Sequence, residues 1–156
     1  MEHSEEKQSI TDQLLELLKN ISPAGLHMRE IATVQSLMGG FSQALGMRLT
    51  TVTPTEVTAE LHVDVQHLQP AGLVNGGVFS AIGETVGSLM GLVAAEGKFV
   101  AGVNNNTDFY HSVAAGVIAA KAVVLHAGKT TQVIEVTMTH RDRVVARSVL
   151  RTVVLR

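Results

Sequence analysis

The sequence predicts an α+β fold in which one antiparallel sheet wraps around a single apolar helix, with extra helices at the N-terminus. Three observations carry this. The stretch Gly77 to Ala95 holds one charge, Glu84, and a helix apolar nearly all round must be buried on several sides. Four strand-like segments separated by short turn signals follow it. Runs of strands set around one helix, without strict strand–helix alternation, belong to an α+β domain.

Residues 4–20 read as an amphipathic helix, with Leu14, Leu15, Leu17 and Leu18 as its apolar stripe and Ser9 or Thr11 as candidate N-caps. Ser22-Pro23-Ala24-Gly25 ends it. The chain thus divides into a helical appendage, 1–22, and a main domain, 23–156. A second helical stretch covers about 28–45, interrupted at Gly39-Gly40. Of the two strands expected before the apolar helix, the clearer is 57–65. There Val57, Ala59, Leu61, Val63 and Val65 alternate with Thr58, Glu60, His62 and Asp64. Residues 66–76 hold Pro and Gly and read as a loop. The apolar helix covers 77–95, with Gly83, Gly87 and Gly91 spaced so that sheet or partner backbone can approach closely. Strands are expected over 98–109, 116–126, 131–140 and 143–154. Gly116 and Ala127-Gly128-Lys129 mark two of the turns, and His140-Arg141-Asp142-Arg143 joins the last pair as a hairpin.

Composition narrows the function classes. The chain has 156 residues, no cysteine and a net charge of −2. Disulfides, thiolate metal sites and cysteine catalysis are excluded, and a non-specific polyanion binder is disfavoured. With no Trp, four Phe and one Tyr, an aromatic platform for single strands is not expected, so no nucleic-acid partner is expected. The seven histidines include no H-x-x-x-H spacing, and neither a metal nor another cofactor is expected. Charged residues are 17%, below the roughly 25% usual for soluble domains, which suggests surface buried between copies in a homo-oligomer. The polar start Met-Glu-His-Ser-Glu-Glu-Lys lacks the apolar core of a secretory signal, and a cytoplasmic protein is expected. The 77–95 stretch is nearly long enough to span a bilayer. Glu84 would sit at mid-membrane with no basic flank before the segment, so it reads as a buried helix of a protein that does not enter the membrane.

The densest chemistry lies where the loop meets this helix: Gln69-Pro70-Ala71-Gly72-Leu73-Val74-Asn75-Gly76-Gly77, then Glu84 and Ser88. A helix N-terminus offers amides without intrahelical acceptors and a partial positive charge. Glycines at 76 and 77 leave those amides open to a ligand, as in an oxyanion hole. On spacing alone, Asn75 as a plain N-cap explains the same residues. Ser80, Glu84 and Ser88 share one helix face. A lone carboxylate there is costly unless paired or solvated, so Glu84 is either a reacting group or half of a structural ion pair. The run Asn104-Asn105-Asn106-Thr107-Asp108 is a poor strand sequence. It marks either a site or interface, or an exposed strand end with a bulge.

The stretch Gln69 to Ser88, QPAGLVNGGVFSAIGETVGS, resembles the signature of hotdog-fold acyl-CoA thioesterases of the phenylacetate-pathway and hydroxybenzoyl-CoA types. Val100–Phe109, Leu125–Gln132 and Asp142–Arg147 resemble later stretches of that family in the right order, so the similarity covers roughly 35–155. The resemblance implies hydrolysis of an acyl-CoA substrate. Glu84 matches the catalytic carboxylate, as nucleophile or general base, and Gly76 the glycine whose N–H polarises the thioester carbonyl. Gln69 matches a polar residue lining the site and Ser88 one that places water. Substrate contacts are implied at Gly77, Asn106, Phe109 and His111, and coenzyme A phosphate contacts at Gly128-Lys129-Thr130. The family's sites lie between subunits, and its dimers often pair into tetramers.

Asn75 stands where many relatives have His, and His111 where they often have Arg. Asn cannot titrate, but a thiolate leaves without full protonation because free thiols have a pKa near ~8.5, so the chemistry survives that change. Two rivals are a non-catalytic acyl-CoA binder and an acyl-thioester dehydratase or hydratase. The latter needs a histidine in the site, for which His67 is the nearby candidate.

Overall fold

The computed structural model describes residues 2–155. Its elements are α1 (Glu2–Leu18), α2 (Met28–Met38), α3 (Gly40–Leu45), β1 (Met47–Val52), β2 (Glu56–His62), α4 (Gly76–Ala94), β3 (Val100–Phe109), β4 (Val117–Ala127), β5 (Thr131–His140) and β6 (Arg143–Val154), with a 3-10 turn at Val65–His67. The expected α+β architecture is present. Six antiparallel strands in the order β1-β2-β4-β5-β6-β3 form one sheet, and α4 packs against β2 through β6.

Several expected boundaries move for local reasons. Ser9 and Thr11 lie inside α1 rather than capping it, because Glu5, Glu6 and Gln8 are good helix formers that extend the helix backwards. The strand expected over 57–65 ends at His62. Asp64 Oδ1 accepts the Val65 N–H at 2.7 Å and His67 Nδ1 accepts the Asp64 N–H at 2.9 Å, which turns the chain. Gly39, at φ 44°, separates α2 from α3, whose first residue, Gly40, has φ 50°. Arg141 and Asp142 both take positive φ, 50° and 61°, the backbone that a two-residue hairpin loop demands.

The core is continuous from sheet to N-terminal helices. Leu18 of α1 is 1% exposed and joins the same cluster as Val34, Leu61, Ile82, Met90, Ile134 and Leu150. The glycine stripe of α4 receives side chains from the sheet rather than backbone. A Cβ on Gly87 would meet Leu150 and Val136, and one on Gly91 would meet Gln132, Ile134 and Val100. Gln132 is itself buried. It donates from Nε2 to the Gly91 carbonyl at 3.1 Å and accepts from Thr152 Oγ1 at 2.8 Å, tying the end of α4 to the sheet. Helix α4 is long and apolar enough to cross a membrane, yet 61% of its most apolar window is buried inside the protein. Its apolar surface is used by the sheet.

Candidate active site

At the start of α4, Asn75 is the N-cap and its Oδ1 accepts the Gly77 N–H at 2.8 Å. One of the two glycine donors expected to be open is thereby engaged within the chain. Gly76 is the first helical residue, a position whose N–H has no intrahelical acceptor. A Cβ on Gly76 would lie 2.7 Å from the Phe109 ring, so only glycine lets the ring close over this turn. Phe109 also meets Phe79, with ring centroids 5.9 Å apart. Gln69, Gly76, Phe109, Tyr110 and His111 line one cavity of about 230 Å³, and the Gln69 side chain accepts from the Ala71 N–H.

Glu84 lies about two turns further along. It is exposed on this chain, on the face shared with the half-buried Ser80 and Ser88. The ion pairs among the described residues are Arg48–Glu60, Lys121–Glu56 and Arg147–Glu135, and none involves Glu84. Polar groups of β3 and of α4 itself hold it instead. Asn105 Nδ2 donates to Glu84 Oε2 at 3.2 Å and to the Ser80 carbonyl at 2.9 Å, while Ser88 Oγ approaches Glu84 Oε1 at 3.4 Å. Glu84 and Ser88 also border an apolar cavity of about 340 Å³, walled by Leu14 and Leu15 of α1, Leu37 and Phe41 beyond them, and Leu89 and Phe99.

Gly102 makes room for the carboxylate. A Cβ there would lie 2.5 Å from Glu84 Oε1. Gly102 is exposed, and the atom it would meet is the tip of a flexible side chain, so Gly102→Ala is expected to fold with stability within about 0.5 kcal/mol of the parent. It should nonetheless push Glu84 aside. The expected result in a thioester-hydrolysis assay is a fall in kcat of about tenfold to a hundredfold, the usual scale for a 1 Å displacement. Unchanged kcat in a folded Gly102→Ala protein would show that the carboxylate position does not matter.

The sequence-predicted residues fall into three groups within one chain. Gln69, Asn75, Gly76, Gly77, Phe109 and His111 gather at the N-terminal end of α4. Glu84 and Ser88 sit mid-helix. Gly128, Lys129 and Thr130 form the β4–β5 turn, where the Thr130 carbonyl accepts the Val154 N–H at 2.9 Å, near the opposite end of α4. Eight residues separate Gly76 from Glu84, about 12 Å of axis at 1.5 Å per residue. One thioester carbonyl cannot touch both within a single chain.

The strand after α4 shows what the sequence pattern hid. The β3–β6 register shifts between Gly102 and Asn104, leaving Val103 as the extra residue of a bulge. Period-two alternation from Gly102 would aim Asn104 and Asn106 at the helix. With the bulge, Asn105 and Thr107 face it, and Asn106 is exposed on the other face. His67, the nearby histidine, is 3% exposed. Its Nδ1 accepts from the Asp64 N–H and its Nε2 lies 2.7 Å from the Leu45 carbonyl. Both ring nitrogens are engaged by backbone, which leaves neither for proton transfer.

Comparison with known proteins places the chain in a family. Residues 71–146 match the thioesterase superfamily model. The Rv1847 protein of Mycobacterium tuberculosis, an esterase by name, is 40% identical over 116 residues, 71% of this chain and 83% of that protein. The proofreading thioesterase EntH of Cronobacter turicensis is 30% identical over 111 residues, covering 70% and 81%. Thioesterase HI1161 of Haemophilus influenzae superposes with a TM-score of 0.75 at 29% identity, over 81% of this chain and 90% of that one. The chain belongs to the thioesterase superfamily and has its hotdog fold.

Proposed function

We propose that the protein hydrolyses acyl-CoA thioesters, with Glu84 of one copy and the Gly76 N–H of a second copy meeting at one carbonyl. The observation that carries this reading is the placement of Glu84. It is a lone carboxylate on an apolar helix, free of any cation among the described residues, held by an amide and bordering an apolar cavity. The distance from Gly76 to Glu84 supports a site shared between copies. So does the position of β3 at the sheet edge, paired on one side only by β6, since an unpaired strand edge is a template for pairing with another chain.

The Gly76 N–H polarises the carbonyl, assisted by the helix dipole. Glu84 either takes a proton from water as the water oxygen attacks the carbonyl carbon, or forms the new C–O bond itself. The C–S bond breaks as coenzyme A leaves as thiolate. In the second route, water then cleaves the acyl-enzyme anhydride and restores the carboxylate. Asn75 shapes the turn as N-cap, Ser88 places water, and Lys129 meets phosphate as a point charge beside Gly128 and Thr130. The cavity beside Glu84 takes the acyl group. Its volume of about 340 Å³ falls at the lower end of the roughly 300–1,000 Å³ of ligand pockets.

Thiol release measured over acetyl-, hexanoyl-, palmitoyl- and benzoyl-CoA tests the proposal. Turnover of at least one is expected, and binding without turnover would make the protein a sensor instead. Light scattering should show a dimer or larger, and an active monomer would end the shared-site reading. The walls of the cavity give a further expectation. Leu14 is half-buried on α1, so Leu14→Phe adds volume without disturbing the sealed core. It should lower kcat/KM for the longer acyl groups relative to the shorter by about tenfold, the scale of a few methylenes in an apolar pocket. An unchanged ratio would remove α1 from the acyl site.

A further inference from the structure

Building on the assignment of Glu84 as the reacting carboxylate, we infer that Asn105 is a positioning residue for it, oriented by Thr107 and by the buried Ser148. Thr107 Oγ1 lies 2.7 Å from Asn105 Oδ1, and the same hydroxyl lies 2.7 Å from Ser148 Oγ. An amide oxygen only accepts, so Thr107 gives its single proton to Asn105 and must accept from Ser148. The other end of the amide sets its orientation: the Ser80 carbonyl and the Glu84 carboxylate are acceptors, so the NH₂ group faces them and Oδ1 faces Thr107. Donation therefore runs in one direction, Ser148 to Thr107 to Asn105 to Glu84. It ends on the Glu84 carboxylate oxygen Oε2, which accepts from the amide. Successive donors polarise one another, which strengthens the last bond.

The relay is anchored in the core. Ser148 is 0% exposed and lies directly beneath Gly83, the residue before Glu84. Its other end holds Oε2, while Oε1 meets Ser88 Oγ at 3.4 Å. The bulge at Val103 belongs to the same device, because without it Asn104 rather than Asn105 would face α4. An alternative role, pinning β3 to α4 through the Ser80 carbonyl, would act on folding and not on the carboxylate.

The two roles separate in a mutant cycle on the full chain, using whichever of acetyl-, hexanoyl-, palmitoyl- and benzoyl-CoA is hydrolysed fastest. Asn105→Ala and Thr107→Val are each expected to lower kcat by about 10- to 100-fold, the scale of a misplaced reacting group, with KM shifting less than about threefold. Thr107→Ser keeps the hydroxyl and should recover kcat to within about threefold of the parent. Placed in a Glu84→Gln background, neither loss should recur, because residues that act as a unit are non-additive. Unchanged kcat, or the same fold loss with and without Glu84, would overturn the relay. If Thr107→Val does not fold, Asn105→Ala decides the matter, since the Ser80 carbonyl it releases still has its place in the helical ladder. A Glu84→Gln protein that retains parental turnover would instead strike at the catalytic carboxylate, and the relay would fall with it.

Discussion

Glu84→Gln is expected to lower kcat by about two to four orders of magnitude, the usual worth of a positioned base, and by more if the carboxylate is the nucleophile. Gln keeps the length of Glu and an oxygen for the Asn105 donor, and it removes both basicity and nucleophilicity. The Gly76 N–H and the apolar cavity remain, so KM should change little. Stability should stay within about 0.5 kcal/mol, because Glu84 is exposed on the chain and forms no ion pair among the described residues. The contrary case is quantitatively distinct, since a carboxylate in a buried pair would cost about 3–5 kcal/mol on removal. Parallel measurement of thiol release and thermal unfolding distinguishes the outcomes. A Gln variant that hydrolyses acyl-CoA at the parental rate per folded molecule would remove Glu84 from the chemistry.

Gly83→Ala has the largest expected effect on stability. By helix propensity alone the change should help by about 1 kcal/mol. The added Cβ, however, would sit 2.1 Å from Ser148 Oγ and 2.5 Å from Ser148 Cβ. The first contact is relieved by rotating the hydroxyl and the second is not, because a Cβ is fixed by its backbone. Helix and sheet must therefore separate at the centre of the core, and overpacking of this kind costs about 1–3 kcal/mol or more. The net expectation is a loss of about 2 kcal/mol and a Tm lower by about 4–8 °C for a domain of this size. Adding Ser148→Ala should not rescue the variant, whereas Ser148→Gly should recover part of the loss. A Gly83→Ala protein melting with the parent would show that this contact yields without cost.

The elements of the sheet and its helix were legible because their signals are local. The charge-free stretch around Glu84, the alternation from Val57 to Leu61 and the turn at Gly128 each act over a few residues. The candidate site was legible in its parts, with Gln69, Gly76 and Glu84 standing out by residue type. Its assembly was not. No spacing rule reports that Val103 is an extra residue, since a bulge exists only relative to the partner strand β6. Asn105 was thus hidden within a run whose three asparagines look alike, and Ser148, far along the chain, carried no mark of its link to Thr107. The same limit applies to the walls of the cavity. Leu14 and Leu15 read as an ordinary apolar stripe, and only tertiary packing brings them beside a carboxylate on another helix.

The strand order has a consequence for the time course of folding. β3 leaves α4 through a short loop, yet its hydrogen-bonded neighbour is β6, so Val100 waits for Val154. The hairpins β4–β5 and β5–β6 close between near neighbours in sequence and can form early. The β3–β6 pairing closes a loop that contains both, and such long-range closure is slow. Gly102, Asn105, Thr107 and Phe109 all ride on β3. A chain growing from its N-terminus therefore completes the helix that carries Glu84 well before it can build the strand that aims it. Hydrolytic competence is expected to emerge after most of the helix and hairpin structure, once β3 has paired with β6, rather than in proportion to helix content during refolding.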